Sequence, residues 1–248
     1  MSRIRFLNIE IDNLSMDESI DYIDKLIKRK KNSYVVTPNV DHIVKLENDS
    51  EFLEVYNNAD LVLTDGMPLV WISKFLKTPI KEKVSGSDLF PKVCKLADEK
   101  GYSIFLLGAA EGIAIKAAEN LKNKYKNLNI VGTFSPSYGF EKSKSEIEEI
   151  IKKVNEAKPD ILAVGLGAPK QEKFIYKYKN KLNVPISLAI GASIDFEAGN
   201  IERAPKWMQK SGLEWFYRFL KEPKRMFKRY FIDDLKIIKV LIKYRGVK

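Results

Sequence analysis

The chain has one cysteine and one histidine in 248 residues. A lone Cys94 rules out an internal disulfide framework, and a reducing compartment fits. No run of about 18 apolar residues occurs, so a membrane-crossing helix is not expected. There is no internal repeat and no low-complexity or disordered tract. The start of the chain, residues 1–5, leads directly into strand-like alternation and does not read as a signal peptide. Apolar residues make up 45% of the chain, enough for a full core, and the length suits one large α/β domain plus an appendage.

Positive charge is present but unevenly spread. The net charge is +10, and residues 203–248 hold 14 Lys or Arg against 4 acids. Residues 1–202 hold 29 of each sign, so the formal excess lies wholly in the tail. Such asymmetry points to nucleic acid or an anionic membrane surface.

Along residues 1–202, β-type and helical segments alternate. Strands are expected over 4–11, 34–36, 61–63, 104–107, 129–133, 161–164 and 186–190. Helices are expected over 15–30, 40–57, 68–76, 88–100, 114–125, 146–157 and 170–181. Ser15 with Glu18 three residues on forms a capping box at the first helix. Alternation this regular predicts an α/β fold, a Rossmann-like and largely parallel sheet with helices on both faces.

In such folds ligands bind at the carboxyl edge of the sheet. Asp65 sits at that edge, ending the run Leu61-Val62-Leu63-Thr64 before Gly66 and Pro68. A strand-end Asp can simply cap the next helix. Three further tips share its position: Thr37-Pro38-Asn39-Val40-Asp41-His42, Gly86-Ser87-Asp88-Leu89 and Gly165-Leu166-Gly167-Ala168-Pro169-Lys170-Gln171-Glu172. Together they predict a site. The Gly86 tip would aim backbone N–H groups from a helix start at a diphosphate, unless Ser87 or Asp88 merely caps that helix. Gly108, at the end of the strand over 104–107, is another point where backbone could approach a ligand. The Gly165 tip has Lys170 where a dinucleotide fingerprint needs its third Gly, and it comes late in the chain, which argues against a nicotinamide dehydrogenase. Asp195-Phe196-Glu197 imitates a metal-binding D-x-D but lacks supporting ligands, and His42 is not one. A structural acid pair and no bound metal are expected.

The tail carries Trp207, Met208, Leu213, Trp215, Phe216, Phe219 and Leu220. After Pro223, a second helical stretch repeats Phe227, Tyr230, Phe231, Leu235, Ile238, Leu241 and Ile242 at spacings of three and four. Arg225, Lys228, Arg229, Lys236, Lys239 and Lys243 flank that stripe. An apolar stripe beside a basic face suits a helix lying in a membrane interface, and also a helix packed on the main domain.

Six ordered stretches carry a resemblance over nearly the whole chain. They are T-P-N-V-D-H from Thr37, N-A-D-L-V-L-T-D-G-M-P from Asn58, V-S-G-S-D-L from Val84, G-L-G-A-P-K-Q-E from Gly165, G-A-S-I-D-F-E-A-G from Gly191 and R-A-P-K-W-M-Q-K-S-G-L-E-W-F-Y-R from Arg203. These resemble the WecG/TagA/CpsF glycosyltransferases (family 26), and most closely the TagA branch. The resemblance implies an inverting, metal-independent enzyme without cofactors. It would move N-acetylmannosamine from UDP onto undecaprenyl-diphosphate-linked N-acetylglucosamine in wall teichoic acid synthesis. It also implies a peripheral position on the cytoplasmic face of the membrane, reached through an appendage, residues 203–248, that follows a catalytic domain, residues 1–202.

By the same resemblance, Asp65 is the general base, Thr37 and Asn39 are sugar-side contacts and Gln171 is a further pocket residue. Arg218, Arg225 and Lys228 or Arg229 close over the site and meet the diphosphates. Lys83, Gly86, Ser87, Asp88, Gly108, Gly165 and Gly167 complete the expected substrate-binding set. Lys83 stands where the family usually has Arg, which replaces a forked donor by a point charge. Ala110-Glu111 replaces a Pro-containing turn. Relatives of the family use other UDP-sugars, among them N-acetylmannosaminuronic acid, glucose and glucuronic acid. Two rival classes are a nucleic-acid-binding α/β protein, which gives Asp65 no role, and a cytosolic nucleotide-sugar or NAD enzyme, which has no use for the tail. Off the membrane, the apolar tail could pair subunits.

Overall fold

The computed structural model describes residues 3–245, without the side chains of Lys210 and Arg225. The chain opens with a two-stranded antiparallel hairpin, β1 (Arg3–Phe6) and β2 (Ile9–Asp12). The single strand expected over 4–11 is broken there by Leu7, whose φ of 53° turns the chain. A Leu in the left-handed region is not something periodicity reveals.

Helix α1 (Met16–Arg29) follows with the expected Ser15/Glu18 capping box. Next come β3 (Ser33–Val36), α2 (Val40–Leu46), α3 (Ser50–Asn57), β4 (Leu61–Val62), α4 (Met67–Phe75) and α5 (Gly86–Lys100). The helix expected over 40–57 is two helices, because Asp49 accepts the Phe52 N–H at 2.9 Å and starts a second one. Helix α5 is capped by Ser85, one step before the tip residues to which the sequence pointed. Then follow β5 (Ser103–Gly108), α6 (Ile113–Lys124), β6 (Asn129–Phe134), α7 (Lys144–Ala157), β7 (Ile161–Gly165), α8 (Lys170–Leu182), β8 (Ile186–Ala189) and α9 (Ser193–Glu197).

Strands β3 to β8 form one parallel sheet in the order β4-β3-β8-β7-β5-β6. Alternate residues of a strand face opposite sides. Accordingly Tyr34, Val36, Phe105, Leu107, Leu162 and Val164 enter one core layer, under α2, α3, α7 and α8. Val35, Ile104, Leu106, Ile161 and Ala163 enter the other, under α1, α5 and α6. Both faces are covered, which is why these strands read as continuous apolar runs.

The C-terminal segment folds as α10 (Lys206–Lys210), α11 (Glu214–Lys221), α12 (Pro223–Lys228) and α13 (Ile237–Tyr244). Between the last two lie a π turn, Arg229–Asp233, and a 3₁₀ turn, Asp234–Lys236, so the stretch after Pro223 is segmented and not one continuous helix. Val240 is buried in the core layer under α2, and Lys243 pairs with Glu47 at 2.7 Å. No helix among the described residues is long and apolar enough to cross a membrane.

Candidate functional site

A cavity of about 970 Å³ opens at the carboxyl edge of the sheet. It is lined by the ends of β3, β4 and β8, the start of α5, the loop into α8 and the C-terminal helices. Backbone bonds hold the tips together. The Asp65 N–H donates to Pro38 O at 2.8 Å and the Val84 N–H to Thr64 O at 2.8 Å, tying the β3, β4 and α5 tips into one unit.

Asp65 is partly exposed on the cavity wall. Among the described residues no hydrogen bond or ion pair engages its carboxylate. Burial pushes its pKa up to about 6, although the cations of Lys83 and Arg218 pull the other way. A carboxylate with free oxygens and a pKa near neutrality is suited to accept a proton.

Thr37 and Asn39 line the cavity from the β3 tip, and Asn39 also caps α2 by accepting the His42 N–H at 3.2 Å. Lys83, Gly86, Ser87 and Gly167 line it as well. Lys83 is bonded to Asp88 at 2.7 Å. Although burial works against ionisation, Lys83 and the hydrogen bond from Ser85 hold Asp88 down at about 2. Asp88 lies off the cavity wall and serves as a counter-ion.

Gln171 reaches the cavity but is committed on both ends of its amide. Its Nε2 donates to Glu172 at 2.8 Å and its Oε1 accepts the Gly191 N–H at 3.2 Å. It shapes the pocket by holding the β8 tip. Gly108 and Gly165 also lie off the wall, because their role is close packing of backbone. A Cβ at Gly108 would meet the Gly165 carbonyl oxygen at 2.3 Å, and one at Gly165 would meet Gly191 O at 2.7 Å. The sequence correctly places them at strand ends, but neither lines the cavity.

Of the tail cations, Arg218 and Arg229 line the cavity. Lys228 is exposed and off its wall. The Arg225 side chain lies outside the described residues. The guanidinium of Arg218 stacks on Phe196, 5.0 Å from the ring centroid, and Arg203 lies over the same ring at 5.7 Å. Phe196 belongs to the acid-flanked triplet of α9, whose carboxylates point to other tasks: Asp195 accepts from Asn200 at 3.1 Å, and Glu197 pairs with Lys124 at 3.5 Å. Among the described residues no group of three or more His, Cys, Asp or Glu is placed to hold a metal ion.

Three contributors escaped the sequence reading. Arg203 bonds Asp88 at 2.8 Å and Glu214 at 3.3 Å, so a chain Lys83–Asp88–Arg203–Glu214 links the α5 tip to α11. Trp215 lines the cavity from α11. Glu172 is fully buried with one oxygen unpaired, and burial lifts its pKa to about 7. Arg203 opens one of the six stretches of the resemblance, but its role is not legible in the sequence, since its partner Asp88 lies 115 residues away. Glu172 could have been flagged as an acid in the first turn of a helix that packs on the sheet.

The comparisons agree with one another. A protein of Bacillus subtilis (strain 168), named N-acetylglucosaminyldiphosphoundecaprenol N-acetyl-beta-D-mannosaminyltransferase, is 31% identical over 88% of this chain and 83% of its own length. A protein of Staphylococcus aureus (strain MW2) with the same name is 29% identical over 91% of this chain and 87% of its own. The model of the glycosyl transferase WecG/TagA/CpsF family matches residues 4–248, so it takes in the sheet, the Asp65 cavity and the C-terminal helices alike. This chain belongs to the WecG/TagA/CpsF family of glycosyltransferases.

Proposed function

We propose that the chain transfers N-acetylmannosamine from UDP to the 4-hydroxyl of N-acetylglucosamine carried on undecaprenyl diphosphate, inverting the anomeric centre. The observation that carries this reading is Asp65, an unpaired carboxylate with a pKa of about 6 on the wall of a cavity large enough for two sugars. The names of the relatives supply the transferred sugar and the acceptor, and UDP as its carrier comes from the resemblance.

In the proposed step the acceptor hydroxyl loses its proton to Asp65 as its oxygen bonds to the anomeric carbon. The bond from that carbon to the UDP oxygen breaks on the opposite face, and UDP leaves with the electron pair. Lys83, Arg218 and Arg229, with the backbone at Gly86 and Ser87, face the charge that develops there. Thr37 and Asn39 contact the sugars, and Gln171 sets the pocket through Gly191. No metal or cofactor enters the scheme, because the chain's own cations supply the charge.

The acceptor's lipid anchor requires work at a bilayer surface. Supporting this, Phe216, Leu220, Phe227, Phe231, Leu235, Ile238 and Ile242 are all exposed on the C-terminal helices, among the basic residues. A peripheral position at an anionic membrane follows, with residues 203–248 as contact segment and residues 1–202 as catalytic body. Away from lipid the same surface would favour association between copies.

The deciding experiment is transfer from UDP-N-acetylmannosamine to a lipid-linked N-acetylglucosamine diphosphate, with and without EDTA, by wild type and Asp65→Asn. Transfer that survives EDTA and collapses in the variant is expected. Activity only with another UDP-sugar replaces the donor and keeps the mechanism. Inactivity with every UDP-sugar overturns the reading.

A further inference from the structure

Helix α4 carries large apolar side chains on the outside of the main body. Trp71 is 47% exposed and Phe75 68%, and four-residue spacing puts them on one face. Trp207 on α10 is 64% exposed. The two helices meet: a Cβ at Gly212, just past α10, would lie 2.9 Å from Met67 and 3.0 Å from the Trp71 ring. Each also begins or ends at the cavity, which Met67 and Pro68 line from one side and Gln209 and Gly212 from the other. Trp71 is therefore one helical turn from the rim.

Charge within these two segments is of one sign. Residues 66–80 contain Lys74 and Lys77 and no acid, and residues 203–213 contain Arg203, Lys206 and Lys210 and no acid. Lys74, Lys77 and Lys206 are exposed, and none is in an ion pair among the described residues. Lys81, close by in sequence, is by contrast held by Glu18 at 2.6 Å. Single exposed hydrophobes need no explanation, but two indoles and a phenyl ring beside unneutralised ammonium groups at a cavity mouth do. Indole is suited to the bilayer interface because it joins an apolar body to one N–H donor, and nearby Lys adds attraction to anionic headgroups.

We propose that Trp71, Phe75 and Trp207, flanked by Lys74, Lys77 and Lys206, form a second lipid-contacting surface in addition to α11–α13, and that its partner is an anionic bilayer interface. This rests on the membrane reading given under the proposed function. Contact on α4 as well as on the C-terminal helices fixes the tilt of the cavity against the bilayer. A lipid diphosphate then presents its sugar to Asp65 in one orientation.

The test uses the full chain with Trp207→Phe and Trp215→Phe, which leaves Trp71 as the only tryptophan. A second reporter adds Trp71→Phe and Phe231→Trp, so that its only indole sits on the C-terminal segment. Each is mixed with vesicles of equimolar phosphatidylcholine and phosphatidylglycerol brominated on the acyl chains. Quenching of Trp71 by these vesicles is expected. Quenching at position 231 without quenching at Trp71 overturns this proposal and leaves the membrane reading standing. Silence at both positions overturns the two together. In a separate measurement, Phe75→Ser should bind the vesicles about tenfold more weakly, with transfer to a water-soluble acceptor analogue unchanged. Undiminished vesicle binding by that variant counts against the proposal.

Discussion

At the scale of single residues, two carboxyl groups, Asp65 on the cavity wall and Glu172 in the interior, are pushed toward neutrality by desolvation and to different ends. Asp65 keeps both oxygens free on the cavity wall, and burial lifts it to about 6. As the base it must be ionised, so kcat/KM should rise with pH through about 6 and then level, a profile read from initial rates at low substrate. Asp65→Asn should lower kcat by about 10²–10⁴-fold, the usual contribution of a positioned base. The same variant should raise the melting temperature at pH 8, since it removes a charge that folding has partly desolvated.

Glu172, in contrast, is sealed beneath Gln171 with one oxygen unpaired. Its folded pKa, raised by burial to about 7, lies above its ordinary value of 4.5. The folded state therefore holds the proton more tightly than the unfolded chain does. Stability is greatest below about pH 4.5 for this group and falls as pH rises from there to about 7, by about 3 kcal/mol in total. Glu172→Gln should flatten that fall, as measured by urea unfolding across the range. An unchanged slope would remove Glu172 as its source.

At the scale of elements, the inner parallel strands were legible because buried strands are apolar almost throughout and run into Gly or Thr at their carboxyl ends. What stayed hidden was set by contacts distant in sequence or by rare backbone. The hairpin at Leu7 needs a left-handed Leu, which no pattern announces. The break between α2 and α3 was visible in principle, since Asn48-Asp49-Ser50 is a capping cluster inside an otherwise helical run. Ten site residues named at the outset, Thr37, Asn39, Asp65, Lys83, Gly86, Ser87, Gly167, Gln171, Arg218 and Arg229, do meet at one cavity. Their neighbours Arg203 and Glu214 fall in a stretch of the resemblance, but their role was not legible because they act through an ion chain that crosses between elements. Arg203→Ala leaves Asp88 and Glu214 facing each other without their shared cation. As these groups are partly exposed, a loss of about 1–2 kcal/mol is expected. Hydrogen exchange should show faster opening of α11 than of the sheet, and equal acceleration everywhere would argue against a local strut.

At the scale of the whole molecule, a formally neutral α/β body is joined to a segment that carries the entire net charge of +10. That segment is also structural, since Met208, Met226 and Val240 are buried. Truncation at about residue 200 should therefore reduce transfer at least about 100-fold, the scale expected on losing charge-stabilising donors. The sheet's circular dichroism should persist. Full activity in the truncated chain would assign the tail to anchoring alone.

The stacked strand ends at Gly108, Gly165 and Gly191 have an evolutionary consequence. Added carbon at either of the first two would strike a neighbouring carbonyl, so these strand ends behind the wall are closed to larger residues. New preferences among sugars must then arise in the residues that line the cavity itself, at the Thr37 and Asp65 tips, in the loop into α8 and in the C-terminal helices. A lineage of such enzymes would diversify around a fixed spine of bare backbone.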